Sequence, residues 1–151
     1  MSNVREFGAM GDGEHDDLPA FEHCLRDGDG MLELPPGDYR LSNPLVVRLA
    51  ETGRFALHGT GGIARIIMHG AGPAISLLGT HTTSADPTGF RPEEWVKERM
   101  PTVSNVEIIG EHAEADGIRI EGIMQPTLTG VLLRKLRTAV HITGRARNLL
   151  I

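Results

Sequence analysis

Gly117-Ile118-Arg119-Ile120-Glu121-Gly122 aligns with Ala139-Val140-His141-Ile142-Thr143-Gly144 at an offset of 22 residues. Val106-Glu107-Ile108 resembles Val131-Leu132-Leu133 at an offset of 25. A period in the twenties, carried by short apolar runs and glycine turns without regular helices, constrains the fold more than any other feature. A unit of that size cannot bury its own apolar face and must stack on the next one. The pattern therefore predicts a β-solenoid. An α/β leucine-rich array needs a recurring Leu/Asn frame, which is missing. An antiparallel sandwich would carry hairpins with Asn-Gly-type turns, and the sequence has none.

Strand-like runs are MLEL (31–34), DYRL (38–41), PLVVRL (44–49), RFALHG (54–59), ARIIMHG (64–70) and AISLLG (74–79). They resume with NVEIIG (105–110), DGIRIEG (116–122), TGVLLRKL (129–136), AVHITG (139–144) and NLLI (148–151). Most are punctuated by glycine or proline, as strands joined by turns should be. Residues 81–103 interrupt the rhythm: HTTSADPTGF reads as loop, and PEEWVKERM as two helical turns containing the only tryptophan, Trp95. The expected organisation is one β-helix domain over 1–151 with an insertion at 81–103.

Composition agrees. The chain has 151 residues, 19 of them glycine and only 4% aromatic, which favours tight turns over large aromatic-packed helices. A net charge of −5 argues against nucleic acid or an anionic membrane as partner. Cys24, the single cysteine, excludes an intrachain disulfide and is expected as a buried thiol. No run reaches transmembrane length, so no membrane insertion is expected. MSNVREF lacks the basic and apolar regions of a signal peptide. Either the sequence starts at a mature domain, or that export route is not used.

The segment GAMGDGEHDDLPAF (8–21) poses three options: metal loop, phosphate cradle or scaffold. Residues 18–26 predict a short helix with Ala20, Phe21, Cys24 and Leu25 on one face, Asp16 and Asp17 at its N-terminus and Pro19 in its first turn. By spacing, Asp12, Glu14 and Asp16 suit Ca²⁺, but the downstream glutamate of an EF-hand is missing. No Gly-Lys-Ser/Thr follows for a phosphate. The reading is scaffold: glycines for positive-φ turns, aspartates to tie down the turn and the helix start.

These residues resemble the N-terminal region of pectate-lyase-like right-handed parallel β-helix proteins, a superfamily that includes polygalacturonases, related lyases and phage tailspikes. The resemblance rests on Val4, Phe7, Gly8, Ala9, Gly11, Asp12, Gly13, Asp16 and Asp17, then on Gly28–Leu34 and Pro35-Pro36-Gly37-Asp38-Tyr39. It covers about the first 45 residues, and Leu18-Pro19 departs from it where the family has threonine and a small residue. The resemblance implies an all-β, right-handed parallel β-helix whose N-terminal helix plugs the open end. It also implies an extracellular or virion-associated setting and a polysaccharide partner.

Alternation sets which side chains point outward. Ile118 and Ile120 face the core, so Arg119 and Glu121 face solvent; Val140 and Ile142 point in, and His141 and Thr143 point out. The offset of 22 stacks Arg119 beside His141 and Glu121 beside Thr143, with Glu107 and Asp116 expected near by. Arg119 suits a polyanionic sugar, and Glu121 or His141 could supply an acid or base. The same patch is also what a solvated solenoid face looks like. Trp95 could stack on a sugar ring or pack its helix onto the wall. Arg134, Lys135, Arg137, Arg145 and Arg147 make the C-terminal third basic, which suits an anionic glycan or solvated turns.

Two classes of function follow. One is a polysaccharide lyase or glycoside hydrolase represented by its β-helix scaffold; the other is a non-catalytic structural or glycan-binding β-helix of the tailspike or surface-protein kind. No paired-aspartate signature or Gly-His-Gly is present and no calcium-lyase constellation can be assigned, so no complete acid/base pair is expected in this chain. NLLI reads as the start of a further strand, which leads to the expectation of more coils downstream, a partner chain, or a homo-oligomer through that open end.

Overall fold

Leu32, Leu57, Val103 and Leu128 lie one above another on successive parallel strands, and each is buried. This apolar row is one wall of a right-handed parallel β-helix. The structure is a computed structural model that describes residues 1–60, 63–82, 87–89 and 91–151.

Its strands are β1 (Ser2–Asn3), β2 (Asp12–Asp16), β3 (Met31–Leu34), β4 (Gly37–Leu41), β5 (Leu45–Arg48), β6 (Ala56–Gly59) and β7 (Ala64–Met68). The series continues with β8 (Gly72–Leu78), β9 (Thr102–Ser104), β10 (Glu107–Gly110), β11 (Ala115–Glu121), β12 (Thr127–Thr129), β13 (Leu132–Arg134) and β14 (Val140–Thr143). The helices are α1 (Leu18–Asp27), α2 (Leu49–Thr52) and α3 (Pro92–Lys97). Each complete coil contributes one strand to each of three sheets: sheet A in the order β1-β3-β6-β9-β12, sheet B in the order β13-β10-β7-β4-β2, and sheet C in the order β14-β11-β8-β5. The first turn supplies only β1 and β2. Every pairing is parallel.

Alternation builds the core. Tyr39, Ile66, Ile108 and Leu133 form the inward row of sheet B. Leu45, Ile75, Ile118 and Val140 run inside sheet C, beside Val47, Leu77, Ile120 and Ile142. Most of these side chains are fully buried, each contributing about 1.5–3 kcal/mol. In the last coil the row opens: Ile142 points inward by register but is 44% exposed. Corners between sheets need close backbone approach, so glycines stack there. A Cβ on Gly79 would stand 2.2 Å from the Gly122 carbonyl oxygen, and Gly122 and Gly144 have φ of 61° and 66°.

α1 closes the N-terminal end. Leu18, Ala20, Phe21 and Cys24 are its buried face, and the Phe21 ring packs 5.6 Å from that of Tyr39. Burial pushes the Cys24 thiol up to about 11.

Three elements differ from the sequence reading. TGVLLRKL (129–136) is not one strand: its first residue, Thr129, ends β12, a corner follows at Gly130, and only Leu132–Arg134 form β13. The first two residues of β9, Thr102 and Val103, overlap the end of the expected insertion, whose last residues thus rejoin sheet A. NLLI forms an isolated parallel bridge, Thr127 to Leu150, rather than a strand. The loop expected over 81–90 falls in part on residues 83–86 and 90, which lie outside the described residues.

Candidate functional site

The outward rows of sheet C carry the residues singled out from the sequence. One row is Val46, Ser76, Arg119 and His141; the next is Arg48, Leu78, Glu121 and Thr143. Arg119 lies in register with His141, and Glu121 with Thr143, as the offset of 22 requires. At the first coil Val46 and Arg48 line a groove of about 600 Å³ between α1 and α2, together with Glu22, Leu25, Arg26 and Glu51. The rows therefore run from a mixed-charge groove to an exposed imidazole.

Arg119 and Glu121 are two residues apart on one face of β11, and the guanidinium Nη2 donates to Glu121 Oε2 at 2.5 Å. Both are half-buried, and the Arg119 Nε is buried without a hydrogen-bond partner among the described residues. The pair is a fixed cation with its own carboxylate counter-ion. Displacing that counter-ion with a ligand carboxylate exchanges one charge-assisted bond for another.

The structure does not gather the other acids here. Glu107 belongs to sheet B, where it is buried and accepts from Arg134 Nε at 2.7 Å. Asp116 sits at the start of β11 and accepts both Arg137 Nε and Nη2, at 3.0 and 2.7 Å. The Arg137 hydrogen bonds hold its carboxyl below the usual range against the opposing effect of burial. The expected grouping is corrected for Glu107, which lies on sheet B; Asp116 shares β11 with Arg119, but both acids are engaged in ion pairs, with Arg134 and Arg137. Those pairs also occupy Arg134 and Arg137, two of the five basic residues expected to serve an anionic glycan.

Trp95 is exposed on α3, which packs on α2 at the corner where β8 leaves sheet C. The Arg99 guanidinium lies 4.6 Å from its ring centroid. The insertion thus borders the C-terminal edge of the sheet C face.

The opening segment is built as scaffold. Asp17 is buried and accepts the amides of Met10 and Gly11 at 2.6 and 3.1 Å. Burial raises its carboxyl above the usual range despite those bonds. Asp16 accepts from Leu18 N, Ser42 N and Ser42 Oγ, and so ties the start of α1 to the end of β4. Asp12 accepts from the amides of Glu14 and His15 and pairs with the His15 ring at 2.6 Å. Two of the three carboxylates considered for Ca²⁺, Asp12 and Asp16, thus serve backbone and side-chain donors. Among the described residues no group of three His, Cys, Asp or Glu side chains is arranged to hold a metal ion.

One polar row was missed from the sequence. Glu33, His58, Ser104 and Thr129 lie in register on the outer face of sheet A, and His58 Nδ1 is 2.9 Å from Ser104 Oγ. The alternation of MLEL and RFALHG could have found Glu33 and His58; Ser104 lies between the expected insertion (81–103) and the strand run 105–110, so no alternation points to it. Ser104 is only 7% exposed, and among the described residues no carboxylate is bonded to His58. A hydroxyl nucleophile needs both access and an oriented base.

No family model matches the sequence, and no curated protein matches it at the sequence level. Solved structures do match in fold. The A-module of mannuronan C-5 epimerase AlgE6 from Azotobacter vinelandii superposes with a TM-score of 0.69 at 21% identity, over 99% of this chain and 42% of that one. ORF18 of Geobacillus virus E2 gives a TM-score of 0.63 at 19% identity, covering 85% of this chain and 25% of that one. PfbA, a surface adhesin of Streptococcus pneumoniae, gives 0.53 at 16% identity, covering 90% and 37%. The chain spans between 25% and 42% of these structures. What it shares with them is the right-handed parallel β-helix.

Proposed function

We propose that the outer face of sheet C binds an anionic polysaccharide, and that the chain forms a β-helical portion of a carbohydrate-active protein. The observation that carries this reading is the in-register row of Arg119 and His141 on a face that begins at the Arg48-lined groove. Arg119 would meet a uronate carboxylate, with His141 beside it, Arg48 two strands away on β5 and Trp95 at the border. Similarity in fold to a mannuronan epimerase module supports the ligand class. The reading invokes no cofactor.

Binding is favoured over cleavage. Glu121 is the single carboxylate of these rows and is held by Arg119, whereas hydrolysis uses two carboxylates, one of them a proton donor. The same observation supports a second reading, a non-catalytic attachment or structural β-helix, for which the viral ORF18 and the adhesin are precedents in fold. If the polymer is acted upon, Glu121 or His141 is the proton-transfer group. The exposed edge of β12, β13 and β14, with Ile142 and Leu150 uncovered, is where self-association of the chain would run.

Titration calorimetry with mannuronan and polygalacturonate oligomers, beside a neutral glucan, tests the proposal. Salt-sensitive binding to the uronans alone is expected, weakened about tenfold or more in Arg119→Ala, since a hydrogen bond to a charged group contributes about 1.5–3 kcal/mol. Equal affinity for the neutral glucan, or an unchanged Arg119→Ala, would refute it. Turnover of a uronan that disappears in Glu121→Gln would replace the binding-only reading with a catalytic one.

A further inference from the structure

His81 follows β8 and its side chain is 4% exposed, yet among the described residues neither ring nitrogen has a hydrogen-bond partner. Facing it is Glu94 of α3, 6% exposed, whose Oε2 is likewise buried and unpartnered and lies 3.7 Å from His81 Nδ1. Buried polar atoms are normally satisfied, so three orphans at one contact ask for an explanation. The Glu94 Oε1 accepts from Arg91 Nε at 2.7 Å. Glu98, also buried, takes the Thr80 amide and hydroxyl, both at 2.7 Å, and Arg91 Nη2 donates to the same hydroxyl at 3.2 Å.

Among the described residues the charges around His81 are therefore two carboxylates, Glu94 and Glu98, against one guanidinium, Arg91, whose side chain reaches solvent. The remaining neighbours are engaged elsewhere. On β11, whose end accepts the His81 amide through Gly122, Glu121 is held by Arg119. From the α2 side, Glu51 lines the groove beside α1, and Arg54 donates to the Val96 carbonyl. Glu93 and Lys97 are exposed on α3, and Arg99 covers Trp95.

As placed, both ring nitrogens and the Glu94 oxygen are unpaired, and a neutral ring that moved in through an Nδ1–H would bring no charge to set against the two carboxylates. A protonated one turns Nδ1 into a charged donor aimed at that oxygen and balances the second carboxylate. Closing the remaining gap takes a shift of less than an ångström at a site that joins α3 to the end of β8. We propose that His81 and Glu94 form an acid-closed latch that fastens α3 to the β-helix wall. The charged Nδ1 donor is what closes the contact, so the latch holds in acid and releases when the ring gives up that proton. α3 borders the sheet C face, so acid would fix that border and neutral conditions would free it.

Trp95, the only tryptophan, sits next to Glu94 and reports on α3 directly. Acrylamide quenching of its fluorescence is measured between about pH 8 and 5 in the wild-type chain, His81→Gln, Glu94→Gln and the control His69→Gln. Quenching should fall sigmoidally towards acid in the wild type and the control, and the pH dependence should be lost in both site variants. A flat wild-type curve, rising quenching in acid, or a transition that survives in either folded variant overturns the latch. Should neither site variant fold, histidine ring resonances of the wild type decide. One ring must titrate in step with the quenching curve, and none doing so overturns the proposal.

Discussion

Arg119 and His141 face solvent side by side on adjacent strands of sheet C, while the same guanidinium is already bonded to Glu121 on its own strand. The counter-ion therefore competes with any anionic ligand for Arg119. Glu121→Gln should release the guanidinium and remove a repelling charge from the face. An exposed pair contributes about 0.2–1 kcal/mol, so uronan affinity should rise by up to about fivefold at low salt. Weaker binding in this variant, measured by calorimetry beside Arg119→Ala, would show that Glu121 contacts the ligand itself.

Ile120 and Ile142 occupy one inward row, but only Ile120 is fully covered. Ile120→Ala should cost about 2–5 kcal/mol, through lost transfer free energy and the cavity left behind. Ile142→Ala removes the same atoms from a site 44% exposed and should cost less than half as much. Urea melts of both variants check this. Equal losses would mean that Ile142 is covered in solution.

Asp12 and His15 fasten the opening loop at 2.6 Å, and their ionisation gives it a defined pH range. The His15 and Glu14 amides hold the Asp12 carboxyl well below its usual value of 3.8, with the His15 ring adding to the effect. Hydrogen bonding to Asp12 holds the His15 imidazole above its usual 6.5. A depressed carboxylate stabilises above its ordinary range and loses that contribution as pH falls through its lowered value. A raised imidazole stabilises below its ordinary range and loses it as pH rises through its raised value. The loop is thus firmest between about pH 4 and 6.5. The His15 ring should titrate above 6.5 by NMR, and Asp12→Asn should return it towards that value. A midpoint that the substitution leaves in place would show that the pair does not form in solution.

The register of sheet C was legible in the sequence because side chains alternate with a period of two. Aligning Ile118 with Val140 therefore fixes every outward neighbour at once. The capping helix was legible for a similar reason, since its apolar face repeats locally. Where partners are distant in sequence, the reading failed. Glu94 and Glu98 look like solvated charges on a short helix, and only the seating of α3 beside Thr80 and His81 buries them. Glu107 and Asp116 flank the patch in sequence, but the corner after β10 turns Glu107 onto a different sheet. β9 is three residues long, too short for alternation to announce it, and it hid the His58–Ser104 contact.

Glu107 shows how the outer face of sheet B tolerates a buried carboxylate. Along that face Asp12, Asp38, Arg65 and Glu107 succeed one another in register; Arg65 is held bidentately by Asp38, with both contacts at 2.7 Å. Glu107 then takes its direct bonds from Arg134 of the next coil, through Nε at 2.7 Å and Nη2 at 2.6 Å. Arg134 is largely exposed, so its own desolvation cost is small, whereas Glu107 is desolvated whether or not its partner is present. Arg134→Ala should therefore cost about 1–3 kcal/mol, mainly by stranding the carboxylate, with Arg65 as the only cation left in register. Removing the charge as well, in Glu107→Gln combined with Arg134→Ala, should recover most of that loss. Thermal melts of the two single variants and the double variant form the test. If the double variant is as unstable as the sum of the singles, the two side chains contribute independently, and the ion pair is not what stabilises this corner of the coil.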